Sequence, residues 1–222
     1  MIVVVGSPLV GVTDTGLKAA GMATGIARAV AAAGSDVQVV GKVGEDPGGD
    51  AVLLDLAGAL IGHVAILRDP SRPTPAVHPP SPEDAALFDE PDRQSPPGGD
   101  ESASAPTNGL SLEPGDIELA LRYLPDYRVL VVAEPLAEES LRVALEAAGW
   151  NGAALVVIVP AGSAQPLATD DATVIEAPLD DPNDAFAGII GAYAAAIDRG
   201  EEPAEAFATA SSSLGWSAIV AD

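Results

Sequence analysis

The stretch Asp180-Asp181-Pro182-Asn183-Asp184-Ala185-Phe186 holds the residues best placed to do chemistry. It follows Thr173-Val174-Ile175-Glu176, which reads as a short strand. It leads into an apolar pattern in which Phe186, Ile189, Ile190, Tyr193 and Ile197 fall on one helical face. A strand, a tight turn and a helix start together gather free backbone N–H groups and a positive dipole end. Such a spot attracts anions, phosphate above all. Asp184, in the first turn, could then act as a general base beside a bound phosphate. The same residues also read as a helix cap. Asp181 suits the N-cap, Pro182 the first helical position, and Asp184 the carboxylate of a capping box. On spacing alone the cap is the commoner of the two readings.

The elements that would position this stretch read as an alternation of buried strands and helices. Ile2 to Val5 is an apolar run without alternation, and Val37 to Val40, His63 to Leu67, Arg128 to Ala133 and Ala154 to Val159 read as further strands. Such runs are expected where a strand is buried on both faces, as in a parallel sheet. A helix is expected from about residue 15 to 33, closed by Gly34, with no strands between it and Gly6. Further helices are expected from about Asp50 to Ile61, from Pro114 to Leu124, from Glu138 to Ala148 with Gly149 as its close, and from Pro203 to Ser213. Trp216 to Val220 would be a last strand. The β-α-β order is that of a doubly wound domain.

Gly41-Lys42-Val43-Gly44-Glu45-Asp46-Pro47-Gly48-Gly49 is glycine-rich, yet it is neither G-x-G-x-x-G nor a Walker A loop, because no Lys-Ser/Thr pair follows the glycines. It resembles the Gly-x-Val-Gly-x-Asp-x-x-Gly run of the ribokinase family, the PfkB carbohydrate kinases, carried here by Gly41, Val43, Gly44, Asp46 and Gly49. Thr74 sits where that family has a threonine opening the next strand. Asp184-Ala185-Phe186 is similar to the end of the family's Asp-Thr-Thr-Gly-Ala-Gly-Asp-Ala-Phe signature, so the resemblance implies that Asp184 is the base that deprotonates the substrate hydroxyl. Asp181, Pro182 and Asn183 stand at the anion-hole positions, where the family has Gly-Ala-Gly. The order Asn108-Gly109-Leu110-Ser111-Leu112, helix, strand, Glu134-Pro135-Leu136, helix, strand, Pro160-Ala161 resembles the middle of ribokinase, which implies that Glu134 lies near the sugar. By the same resemblance Gly41, Gly44 and Asp46 belong to the substrate site. The family's Gly-Gly-x-x-x-Asn-x-Ala motif reads Ala20 to Ala27 here, with Gly25 in place of the substrate-binding asparagine. The Asn-x-x-Glu and Thr-x-Gly segments that serve Mg²⁺ and nucleotide phosphates have no counterpart between Ser163 and Ala172.

Composition sets the outer bounds. At 222 residues the chain is long enough for one α/β domain. Hydrophobic residues make up 48% and aromatics only 4%, which favours close packing by small side chains. With no cysteine, disulfides and thiolate metal sites are excluded. His63 and His78 are isolated, and no metal site is read from them. The chain carries 33 acidic and 10 basic residues, formally −23, which argues against nucleic-acid or anionic-membrane binding. Residues 79–109 hold seven prolines and seven acidic side chains against one basic. They read as a flexible acidic insert within a single domain spanning 1–222. No basic leader precedes the first strand, and no apolar run is long enough to span a bilayer, so a cytoplasmic protein is expected.

The expected fold is therefore α/β, a ribokinase-like three-layer sandwich. Its mostly parallel sheet has about seven strands, with helices on both faces and no lid. The expected function is a PfkB-type carbohydrate kinase homologue, degenerate at its motifs, that holds a small ligand or a partner without efficient catalysis. The alternative is an active sugar or nucleoside kinase that transfers the γ-phosphoryl of ATP to a hydroxymethyl group with Asp184 as base. ATP and Mg²⁺ enter only with that alternative. A homo-oligomer is compatible with either.

Overall fold

The structure, a computed structural model, describes residues 1–78, 110–163, 172–179 and 185–213. Its main sheet is built from six strands: β1 (Ile2–Val5), β4 (Val37–Gly44), β5 (Gly62–Asp69), β7 (Val129–Val132), β8 (Ala154–Val159) and β9 (Ala172–Glu176). Their order is β5-β4-β1-β7-β8-β9, and every pairing is parallel. β1 lies in the middle because its four side chains, Ile2 to Val5, are apolar on both faces and fully buried. Ile2 and Val4 point into one layer of core, Val3 and Val5 into the other.

Helices cover both faces. One core layer lies under α1 (Met22–Ala32), α2 (Pro47–Gly58), α5 (Ala185–Asp198) and α6 (Pro203–Ser213). The other lies under α3 (Pro114–Tyr123) and α4 (Glu138–Asn151). The expected α/β three-layer architecture is therefore present. Six of the seven expected strands are seen, and the seventh, 216–220, lies outside the described residues, as does the 79–109 stretch.

Two expectations are corrected. The segment before α1 is not helical from residue 15. It forms a hairpin of β2 (Leu9–Thr13) and β3 (Gly16–Ala20), which β6 (Ala76–Val77) extends into a second sheet of order β3-β2-β6. The chain has lid-like strands after all. Gly16 at φ 121° makes the hairpin turn, and Gly21 at φ 90° halts the chain before the helix. The second correction is at Gly149, which lies inside α4; the left-handed closing residue is Gly152 at φ 63°.

α1 and α5 cross closely on one face. Gly25 faces Ala187, and a Cβ added at Gly191 would overlap that of Ala29 and lie 2.8 Å from the Ile26 carbonyl oxygen. Small residues at the crossing allow this approach, which accounts for the Ala- and Gly-rich composition of both helices.

Candidate functional site

In an open parallel sheet, the place where strand order reverses leaves a crevice outside the carboxyl ends of the strands. Here that place is between β1 and β7, since the chain proceeds outward from β1 to β4 and β5 on one side and to β7, β8 and β9 on the other. β1 ends at Val5 and runs on into Gly6-Ser7, and β7 ends at Val132 and runs on into Ala133-Glu134. The Glu134 side chain lies across the gap: its Oε2 accepts from the Ser7 backbone N–H at 3.0 Å.

Ser7 is the hub of this crevice. Its Oγ donates to the Leu110 carbonyl at 3.1 Å and accepts from the Lys42 backbone N–H at 3.3 Å. Its distance to Glu134 Oε1 is 3.5 Å. A hydroxyl has one proton, so the Leu110 carbonyl and Glu134 Oε1 share the Ser7 Oγ as alternative acceptors. Glu134 is half-buried, and since each carboxylate oxygen has two lone pairs, Oε1 keeps acceptor capacity beyond its contact with Ser7. Burial pushes the Glu134 carboxyl up from its ordinary pKa, and the bonds from Ser7 offset this only in part. The Lys42 ammonium is 2.6 Å from Asp116 and 3.3 Å from the Ser111 carbonyl, so it ties the end of β4 to the start of α3. Gly41 is forced at its position: a Cβ there would meet the Gly6 oxygen at 2.7 Å and Pro8 Cδ at 2.8 Å.

The rest of the glycine run serves a different purpose. Asp46 is the N-cap of α2, accepting from the Gly49 N–H at 2.7 Å. It also accepts from the Thr74 N–H at 2.8 Å and the Thr74 hydroxyl at 2.7 Å. Thr74 Oγ1 in turn accepts from the Gly44 N–H at 2.9 Å. A Cβ on Gly44 would lie 2.6 Å from both the Arg72 oxygen and the Thr74 nitrogen. Burial alone would raise the Asp46 pKa, but the bonds from Gly49 and Thr74 outweigh it and hold the carboxyl below its usual range. This cluster locks the β5–β6 connection onto the start of α2.

Of the residues singled out in the sequence, Gly41 and Glu134 meet at the Ser7 crevice, while Gly44 and Asp46 belong to the α2 cap. Asp181, Pro182, Asn183 and Asp184 lie outside the described residues; Ala185 and Phe186 open α5 as expected. Ser7, Leu110 and Lys42 escaped the sequence reading. The one usable signal was that Ser7 directly follows the central strand. Among the described residues, no three His, Asp or Glu side chains gather closely enough to hold a metal ion.

No family model matches the chain, and no curated relative does. Solved structures do. Phosphofructokinase-2 from Escherichia coli, in complex with fructose-6-phosphate, superposes with a TM-score of 0.64 at 12% identity, over 95% of this chain and 90% of that one. An E. coli chain assigned as a ribokinase II, in its apo form, gives 0.62 at 13% identity, over 94% and 90%. The fold is ribokinase-like. At such identities the match carries the ribokinase-like architecture and no residue roles. Coverage varies: an uncharacterized sugar kinase from Pyrococcus horikoshii is matched over only 55% of its length.

Proposed function

We propose that this chain is a PfkB/ribokinase-type homologue that holds a small hydroxylated ligand, of the sugar or nucleoside kind, without efficient phosphoryl transfer. The observation that carries the reading is Glu134 at the strand-order reversal. Both of its carboxylate oxygens contact Ser7, and the longer contact, 3.5 Å from Oε1, leaves that oxygen lone-pair capacity for a ligand hydroxyl. A half-buried acceptor of that kind favours ligands that bring a hydroxyl to it.

Weak catalysis follows from the residues around Asp184. Pro182 has no N–H to offer an anion, and by the family resemblance Asp180 and Asp181 would add two carboxylates at the phosphate position. An affinity for ATP-Mg²⁺ no better than millimolar, about −4 kcal/mol, is expected by calorimetry. The deciding experiment is an ADP-release assay over pentoses, hexoses and nucleosides, run on wild type and Asp184→Asn together, with direct titration of the same compounds. Saturable binding that Glu134→Ala abolishes, without turnover, is the expected outcome. Turnover by wild type that vanishes in Asp184→Asn would replace this reading with the active kinase.

The active kinase keeps one specific support. The β3-β2-β6 sheet leaves the main sheet at the carboxyl ends of β1 and β5, beside the crevice. A cover at that place is what phosphoryl transfer needs to exclude water. In that reading Asp184 is the base for a hydroxymethyl group.

A further inference from the structure

The half-buried carboxylate of Glu134 meets only neutral partners among the described residues. Both of its oxygens contact Ser7, one at the backbone N–H and one at the hydroxyl. The elements around it bring no counter-charge. β1 runs on into Gly6 and Ser7, and α1 approaches Gly6 through Ala23, in a first turn, Met22 to Gly25, that carries no charged side chain. The segment leading into α3 presents the Leu110 carbonyl to Ser7. β4 brings Lys42, but its ammonium is already held by Asp116 at 2.6 Å and by the Ser111 carbonyl at 3.3 Å. The Glu134 pKa carries the same imprint: burial raises it and the bonds from Ser7 lower it, with no described charge contributing.

A carboxylate drawn out of water without a cation is costly, and bonds from neutral donors offset only part of that cost. A ligand that enters the crevice alters the balance according to its charge. A hydroxyl adds one more neutral bond. A phosphate or carboxylate would face Glu134 with no uncommitted cation among the described residues to receive it. An ammonium supplies the missing charge and donates to Oε1, which has lone-pair capacity for it. The formal charge of −23 also favours the approach of a cation over that of an anion. We infer that the crevice takes a hydroxylated amine, such as an amino sugar, with its ammonium at Glu134 Oε1 where a neutral sugar would place a hydroxyl. This rests on the reading of the crevice as the ligand site, and it narrows the ligand from sugars in general to those with a free amine, excluding sugar phosphates.

Calorimetric titration of the full chain at about 0.15 M NaCl tests it with matched compounds. Glucosamine, galactosamine and mannosamine are compared with their N-acetyl forms, their parent hexoses and the hexose 6-phosphates. At least one free amine should bind one-to-one and about tenfold or more tighter than its N-acetyl form and its parent, because a bond between charged groups is worth more than a neutral one. The 6-phosphates should not bind. The advantage of the amine should shrink at about 1 M NaCl. Glu134→Gln keeps the shape of the side chain and an acceptor oxygen but removes the charge, so amine and parent should bind it alike. Parent hexoses that bind the wild type as tightly as the amines overturn this inference and leave the sugar-binding reading standing. So does saturable binding of a 6-phosphate. An amine preference that survives in Glu134→Gln belongs to the general field of an acidic chain and overturns it as well. Absence of saturable binding by every compound overturns both readings.

Discussion

Substitution of Gly191 by alanine should destabilise the protein, although alanine is the better helix former. Gly191 lies in α5 where that helix crosses α1. A Cβ there would overlap the Ala29 Cβ and sit 2.8 Å from the Ile26 carbonyl oxygen and 3.1 Å from the Val30 nitrogen. Carbon atoms in ordinary contact stand about 3.5–4 Å apart, so the helices must part by roughly 1 Å. Two of the three neighbours are backbone atoms and cannot rotate away. Overpacking costs about 1–3 kcal/mol, and a rigid site such as this one belongs at the upper end. Replacing glycine within a helix returns about 1 kcal/mol. The net loss is about 2 kcal/mol, which corresponds to a fall in melting temperature of about 4–8 °C for a chain of this size. Gly149 in α4 is the internal control. It is exposed, and nothing lies within 4 Å of an added Cβ, so Gly149→Ala should stabilise by up to about 1 kcal/mol. Thermal melts of both variants by circular dichroism, with urea titrations to verify unchanged m-values, give the comparison. If Gly191→Ala melts at or above the wild-type temperature, the close crossing is not a constraint and the reasoning fails.

Asp46→Ala should cost about 1–2 kcal/mol through loss of the α2 cap, read by urea unfolding. Because the folded-state pKa of Asp46 is lowered, its contribution is present above the ordinary carboxylate range and is lost as pH falls through the lowered value. Asp46→Asn should flatten that acid limb, and an unchanged limb would refute the assignment. Glu134 has the opposite sign: burial raises its folded pKa, so its ionised form opposes folding above the unfolded-state value, and stability should rise as pH falls through the raised one. Glu134→Gln should remove this rise, seen as melting temperature against pH in weakly acidic buffers. With a formal charge of −23, the melting temperature should also increase from very low salt to about 1 M NaCl. A flat or falling curve would show that self-repulsion does not limit stability.

How much of this was legible beforehand depended on the range of the interaction. The strands at 2–5, 129–132 and 154–159 announce themselves as uninterrupted apolar runs of Val, Ile, Leu and Ala, because two-sided burial removes any need for polar alternation. The hairpin at 9–20 was hidden. Its strands carry Gly11, Gly16 and Lys18, and its burial is partial, so it lacks both the apolar run and a clean alternation. Asp46 could be picked out by resemblance, but its role as a cap bonded to Thr74 depends on a contact 28 residues away. The Ser7–Glu134 contact spans 127 residues and follows from strand order alone, which no local pattern encodes. The same applies to Gly25, which reads as a lost polar contact in the sequence and in the structure is a packing position against Ala187.

The α1–α5 crossing also shapes how the chain emerges during synthesis. α1 is complete at residue 32, but the helix that covers its outer side ends at residue 198. At ordinary elongation rates that face waits roughly 10–30 s for its partner. During this interval it presents Gly25 and Ala29, small side chains that offer little for other nascent chains or chaperones to grip. The residues that let two helices approach closely in the finished protein are thus also those that keep an unfinished one from sticking.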